Sequence, residues 1–254
     1  MIPTGEISSR FYEYLSGREG DLLVKEVRVG LSYLGVKLEE DRMGLAAVLR
    51  HELTPGCSVL DEAGKLVGSK ASDLLRRLVN GRNPLEKALG LATANAIIHP
   101  EPTEEDKNTL ELINLGSEDR VAMIGLFRPL VQRIKETGAS LSIIERNPAR
   151  MEILGQKERE RILEECTVAI ITATTLLNDT MEEVLNSLGS PRHVAVLGPS
   201  TPMCGDLFEG TQVSLLGGSA LLNTEKIMQI ISEGGGTTAL RPYLRFVNIL
   251  LDKD

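Results

Sequence analysis

Two oxygen-rich stretches each follow a short apolar run. TATTLLNDT, residues 172–180, comes after VAII, and GPSTPM, residues 198–203, comes after VAVL. Hydroxyls and carboxamides at the carboxyl ends of buried strands can hold the polar groups of a small ligand. In the first stretch Thr174, Thr175 and Asn178 offer more oxygens than one helix cap requires. Thr180 opens T-M-E-E and is expected to cap the next helix in a capping box with Glu183. In the second, Gly198 and Pro199 set a tight turn that presents Ser200 and Thr201 beside backbone N–H groups, a cradle suited to a carboxylate or phosphate. Ser200 lacks the G-x-S-x-G surround of a nucleophile elbow, so the pattern does not indicate a serine hydrolase.

Other side chains extend this set. Glu145 closes LSIIE about twenty residues after Gly125, where nucleoside-binding sheets place an acid that accepts from ribose hydroxyls. The preceding strand, however, ends in MIGLFRP and lacks the G-x-G-x-x-G of ordinary dinucleotide binding. Arg128 could hold an anionic group or cover the sheet edge with its stem. Asn95 and His99 stand four apart, on one side of a helix, and would face the same crevice if the first half packed over the second. Cys204, directly after GPSTPM, could be a soft ligand or a small buried residue. His51, His99 and His193 show no H-x-x-H spacing, and Cys57, Cys166 and Cys204 no CxxC spacing, so neither a metal site nor a cofactor is specified. Glu101, Glu104, Glu105 and Asp106 read as a linker and a helix first turn.

Two kinds of element must position these residues. From Val24 to Leu38 the alternating VKEVRVGLSYLGVKL predicts a strand pair or a bent strand, and GLAAV, 44–48, a further strand. Two helices follow. One starts near Ser69 and stops at Gly81 in a left-handed turn. The next has Asn83 as cap, Pro84 at its first position and Leu85, Ala88, Leu89, Ala92 and Ala96 on one stripe. Strands before helices is α+β grammar. After a junction between His99 and Asp119 the grammar changes. VAMIG, LSIIE, VAIIT, VAVLG and VSLLG are apolar throughout and separated by helical patterns, the signature of strands buried on both faces. The expectation is a Rossmann-like, doubly wound, mostly parallel α/β sheet, with LRFVNILL as a final edge strand and GGSALL and SEGGGTT as glycine turns. A smaller α+β domain precedes it, with boundaries at 1–105 and 106–254.

Composition narrows the function. The 254 residues carry a net charge of −8 with no Lys/Arg-rich block, which argues against nucleic acid. The start MIPTGEISSRFYEYL lacks a secretory pattern and no apolar run has membrane-span length, so a cytoplasmic protein without a membrane partner is expected. With 3% aromatics and no Trp, ligand grips through backbone and hydroxyl groups are favoured over stacking.

In order, VAMIGLFRPLVQRIKETGASLSIIERNP, VAIITATTLLNDTMEEVL, VAVLGPSTPM and ISEGGG resemble the family named for heavy-metal chelation, long a domain of unknown function. VGLSYLGVKL and LGLATANAI resemble the small domain that precedes it there. The likeness spans nearly the whole chain. It implies a first domain shaped like the amino-terminal domain of enolase and a Rossmann-like second domain, with a site between them. Onto this sequence it carries Asn95, Glu145, Thr174, Thr175, Asn178, Gly198, Pro199 and Ser200. It also implies a link to metal chelators or their synthesis, although these residues form no soft-metal donor set. The resulting expectation is a small-molecule-binding protein with a single interdomain cavity. As an enzyme it would act on a chelator-, pterin- or flavin-related metabolite by condensation or hydrolysis. Glu145, Asn178 and Thr175 would then serve chemistry, and Asn95, Arg128, Thr174, Gly198, Pro199, Ser200 and Thr201 would bind substrate. A non-catalytic metal or metal-chelate binder, using carboxylates, Cys204 or His99, and a nucleoside-cofactor enzyme of the S-adenosylmethionine type are the alternatives. The cofactor, the metal and the oligomeric state stay open, a homo-oligomer included.

Overall fold

The computed structural model describes residues 1–56, 58–100 and 109–251. Cys57, the acids Glu101, Glu104, Glu105 and Asp106, and the expected junction at 105/106 lie outside the described residues. Among the described residues, the strands form two sheets: a three-stranded antiparallel one and a six-stranded, mostly parallel one.

The first half opens with α1 (Glu6–Leu15), followed by β1 (Val24–Val29), β2 (Tyr33–Leu38) and β3 (Met43–Ala47), paired in the order β1-β2-β3. The predicted strand pair is thus a hairpin that turns at 30–32, where the Gly30 N–H donates to the Tyr33 carbonyl at 2.9 Å. Next come α2 (Ala71–Leu75), α3 (Arg77–Asn80) and α4 (Pro84–Ile98). The single helix expected before Gly81 is broken in two, and Gly81 is extended (φ −61, ψ 125) rather than left-handed. Asn83 caps α4 as its sequence predicts, its Oδ1 accepting from the Leu85 and Glu86 N–H groups, both at 3.0 Å.

Every residue of α4 from Leu85 to Ile97 is buried, not one stripe alone. One side lies on β2 and β3, and other sides meet α1, α2 and α3. The approach to β3 is close enough to require glycine at position 44, since a Cβ there would stand 2.1 Å from the Ala92 carbonyl oxygen and 2.4 Å from the Ala96 nitrogen.

In the second half β4 (Arg120–Ile124), β5 (Ser140–Ile144), β6 (Val168–Thr172), β7 (His193–Leu197) and β8 (Leu215–Leu221) run parallel, and β9 (Leu244–Leu250) closes the edge antiparallel to β8. The order is β5-β4-β6-β7-β8-β9. Between them run α5 (Thr109–Ile113), α6 (Arg128–Glu136), α7 (Gln156–Glu165), α8 (Met181–Ser187), α9 (Thr224–Ser232) and α10 (Thr237–Leu240). Alternate residues feed two cores. Val121, Met123, Ile170, Ala195 and Leu197 pack with Ile134 of α6 on one face. Ala122, Ile124, Ala169, Ile171, Val194 and Val196 belong to the opposite core, which continues without a break into Ile7, Phe11, Leu34, Leu89 and Leu91 of the first half. The small sheet is therefore sandwiched, because its other face sets Tyr33, Met43 and Leu45 against Ile227, Met228 and Ile231 of α9.

The GGSALL segment departs from expectation. Residues 217–221 are not a turn but the carboxyl-terminal part of β8, which continues to Leu221 because β9 pairs with it residue by residue as far as Leu221↔Leu244. Among the described residues no helix is long and apolar enough to cross a membrane.

At the amino ends of the strands, Asp119 accepts from Arg192 (Nη2 at 2.7 Å, Nε at 3.0 Å), from the Thr167 hydroxyl at 2.8 Å and from the Gly116 N–H at 2.9 Å. The Arg192 hydrogen bonds, outweighing the opposing effect of burial, hold its carboxyl well below the usual carboxylate range. A depressed folded-state pKa contributes stability that is complete above the unfolded-state value and is lost as pH falls toward the folded one, here from about pH 5 downward. Asp119→Asn is expected to cost about 2 kcal/mol at pH 7, with a difference from the parent that shrinks in urea melts below pH 4.

Candidate functional site

Asn95, late in α4, ties three elements together. Its Nδ2 donates to the Leu45 carbonyl of β3 at 3.0 Å and to the Ser200 carbonyl, beyond β7, at 3.1 Å. Two carbonyl partners fix which end of the carboxamide faces them, so Oδ1 is turned away as an acceptor. A second link runs alongside, with the Ala47 N–H donating to Ser200 Oγ at 2.8 Å. Ser200 is thereby a seam residue that completes the end of β3.

The 198–201 turn does not form the anion cradle its sequence suggests. Gly198 donates its N–H to the Gly217 carbonyl and Thr201 donates to the Gly198 carbonyl, both at 2.9 Å, while Pro199 has none to give. Gly198 thus ties the turn to β8 and Thr201 closes the turn on itself, which takes two N–H groups from the concentration of donors that an anion nest needs.

Against this seam lies a cavity of about 20 Å³. Met43, Leu45, Met203 and Leu221 wall it, His99, Pro100 and Pro199 stand half-buried around it, and Asn95, Thr201 and Ser219 supply polar atoms. Asn95 Oδ1, Thr201 Oγ1 and Ser219 Oγ are all inaccessible to solvent and have no hydrogen-bond partner among the described residues. The residues themselves are 8%, 3% and 8% exposed. An unmet buried polar group costs about 1–3 kcal/mol, and the residues that carry these three, on α4, the β7 turn and β8, line one small space.

Met203 reaches this wall across Gly218, where a Cβ would meet its sulfur at 2.4 Å. Neither Ser219 nor Met203 was among the residues that sequence singled out. The available signal was a hydroxyl set inside the otherwise small and apolar LLGGSAL, which reads as a turn until the β9 pairing is seen.

The TATTLLNDT residues are engaged elsewhere along the same seam and do not line the cavity. Asn178 Nδ2 donates to both Glu52 carboxylate oxygens, at 2.8 and 3.1 Å, and its Oδ1 accepts from Thr180 Oγ1 at 2.8 Å. Thr180 consequently makes no side-chain cap on α8, which corrects the capping-box expectation: the Asn178 carboxamide has taken its hydroxyl. The neighbouring Asp179, in a left-handed conformation (φ 55), receives Lys87 of α4 in an ion pair whose lysine side chain is only 11% exposed. Thr175 Oγ1 donates to the Thr172 carbonyl at 2.8 Å, and the Thr172 and Thr174 hydroxyls lie 3.1 Å apart.

Glu145 is buried and fully occupied. One oxygen accepts from the Arg146 and Asn147 N–H groups at 2.9 and 3.0 Å, and the other from Leu126 N–H at 3.2 Å and Arg150 at 2.8 Å. It staples the β4 and β5 loops at the switch point of the sheet, between β4 and β6, where open α/β sheets usually take ligands. Arg128 is exposed at the start of α6 and does not line the cavity. The structure thus joins Asn95, His99, Pro199 and Thr201 around one cavity, with Ser200 tied to it through its backbone. It leaves Thr174, Thr175, Asn178, Glu145 and Arg128 away from that cavity.

A metal is poorly served. Among the described residues no three His, Cys, Asp or Glu side chains gather where they could hold an ion. Burial pushes the Cys204 thiol up, away from the thiolate a soft metal needs.

Fold and site together define a doubly wound α/β protein roofed by a smaller antiparallel sheet and its helices, with polar groups from both halves gathered beneath the roof. The chain belongs to the DUF364 family, described as "Putative heavy-metal chelation", whose sequence profile matches residues 108–250; a companion profile of the same description, DUF4213, matches residues 12–98. An uncharacterized protein of Methanocaldococcus jannaschii is 25% identical over 232 residues, 88% of each chain. Two crystal structures of DUF364 proteins of unknown function share the fold. The one from Pyrococcus horikoshii has a TM-score of 0.82 at 22% identity, covering 96% of this chain and 100% of its own. The other, from Desulfitobacterium hafniense, has a TM-score of 0.77 at 20% identity, covering 95% and 99%.

Proposed function

We propose that the protein binds a small polar metabolite where α4 and β3 cover the carboxyl ends of β7 and β8. The observation that carries this reading is that Asn95, Thr201 and Ser219, whose Oδ1, Oγ1 and Oγ are buried and without partner among the described residues, line one cavity. Buried polar atoms are nearly always partnered, and a bound polar group at this cavity would partner all three. If chemistry follows binding, His99 is the titratable side chain that lines the cavity among the described residues, and it takes the place in the reading that Glu145 held by sequence. His99 also ends α4 in the left-handed region (φ 38), a conformation of the kind that costs about 1 kcal/mol and is kept at functional sites. His99→Gly is accordingly expected to leave urea stability unchanged or raise it by up to about 1 kcal/mol, while weakening ligand.

A thermal-shift screen of nucleosides, pterins, polyols and amino acids tests the reading. A binding compound raises Tm in proportion to the logarithm of concentration over Kd, and Ser219→Ala should weaken that Kd about ten-fold. An intact response in Ser219→Ala together with its loss in Asn178→Ala would move the site to the β6 loop. No response to any compound would remove the reading.

A further inference from the structure

We infer that the Asn95–Thr201–Ser219 cavity is a socket for one hydroxyl group of the ligand and discriminates against carboxylates, phosphates and ammonium groups. The inference rests on the binding reading above and narrows its ligand class. It follows from counting donors and acceptors. Asn95 Oδ1 accepts only, because its amide nitrogen is committed to the Leu45 and Ser200 carbonyls. Thr201 and Ser219 each carry one O–H that has no acceptor among the described residues. One hydroxyl oxygen meets all three demands: its proton goes to Asn95 Oδ1, and its two lone pairs take the Thr201 and Ser219 protons. A volume of about 20 Å³ is of the size that holds a single water-sized oxygen group.

Competing groups fail on the proton count or on charge. A carboxylate or phosphate oxygen could accept from Thr201 and Ser219 but would meet Asn95 Oδ1 with no proton between them. The surrounding Met43, Leu45, Met203 and Leu221 are apolar, His99 is the one lining side chain among the described residues that can become cationic, and the 198–201 turn has used its Gly198 and Thr201 N–H groups. An ammonium could donate to Asn95 and to both hydroxyl oxygens, but among the described residues no Asp or Glu lines the cavity to balance its charge. The ligand class is therefore a neutral polyol, a sugar or the ribose edge of a nucleoside, anchored by one hydroxyl.

The experiment is an NMR titration of the full chain labelled with 13C at the methionine methyls. Met43 and Met203 line the socket and serve as reporters, assigned through Met43→Leu and Met203→Leu. The probes are glycerol, ethylammonium, acetate and inorganic phosphate. Glycerol is expected to shift both resonances saturably, with an affinity about ten-fold lower in Thr201→Val and in Ser219→Ala, while the other three probes leave them unmoved. Saturable shifts from acetate, phosphate or ethylammonium that vanish in the same variants would overturn the hydroxyl assignment and leave the binding site standing. Shifts from no probe, or glycerol shifts unaffected by either variant, would overturn the socket itself, and the metabolite screen then decides whether binding occurs elsewhere. Because Thr201→Val and Ser219→Ala remove unpartnered hydroxyls, and Val matches Thr in shape, both variants are expected to fold.

Discussion

Gly44→Ala is expected to lower the unfolding free energy by about 3 kcal/mol or more, the upper end of overpacking costs, and to abolish every ligand response. The added Cβ would stand 2.1 Å from the Ala92 carbonyl oxygen and 2.4 Å from the Ala96 nitrogen, both backbone atoms of α4. Neither can rotate aside, so the helix has to move off β3. Asn95 lies between those two helix positions and bonds Leu45, the strand residue next to Gly44. Displacing the helix breaks that bond, carries Oδ1 away from Thr201 and Ser219, and opens the cavity. Urea titration reports the stability loss. A variant that kept parental stability would show that the roof is not held by this contact.

Asp179→Asn is expected to cost about 3 kcal/mol, because it leaves the Lys87 ammonium with its side chain 11% exposed and without its counter-charge. Asparagine tolerates the left-handed backbone at this position, so the effect isolates charge from strain. Adding Lys87→Met should recover most of the loss, since a neutral side chain of similar length removes the stranded charge. Recovery in the double variant identifies the pair as a clamp between α4 and the β6 loop. A double variant as unstable as the single one would show that Lys87 contributes by packing of its stem instead.

Much of the architecture was legible because burial on both faces writes a distinct pattern. The apolar runs VAMIG, LSIIE, VAIIT and VAVLG are the strands β4 to β7, and the Asn83–Pro84 start of α4 holds in detail. The misread elements are those whose conformation depends on a distant partner. GGSALL has turn residues and is a strand because β9 pairs with it. Thr180 has the sequence of a cap and bonds Asn178, which is itself drawn to Glu52, 126 positions away.

For the site, sequence marked polar strand ends but not which oxygens were free. Glu145, Ser200, Asn178 and Thr175 have hydrogen-bond partners within the seam or the loops. Of the five buried side-chain atoms without a partner among the described residues, those of Asn95, Thr201 and Ser219 belong to residues lining the cavity and those of Glu19 and Glu62 do not, and which hydrogen bonds remain unmade is a property of the packed molecule rather than of any local spacing.

The central claim is that the hydroxyls of Thr201 and Ser219 are kept for a ligand and contribute nothing to folding. The most direct measurement is the unfolding free energy of the Thr201→Val/Ser219→Ala double variant in ligand-free urea titrations. The account predicts a value equal to the parent's or up to about 2 kcal/mol above it, since two unmet buried groups have been removed. A drop of more than about 1 kcal/mol would show that the hydroxyls are partnered in the folded protein, and the binding site built on them would be contradicted.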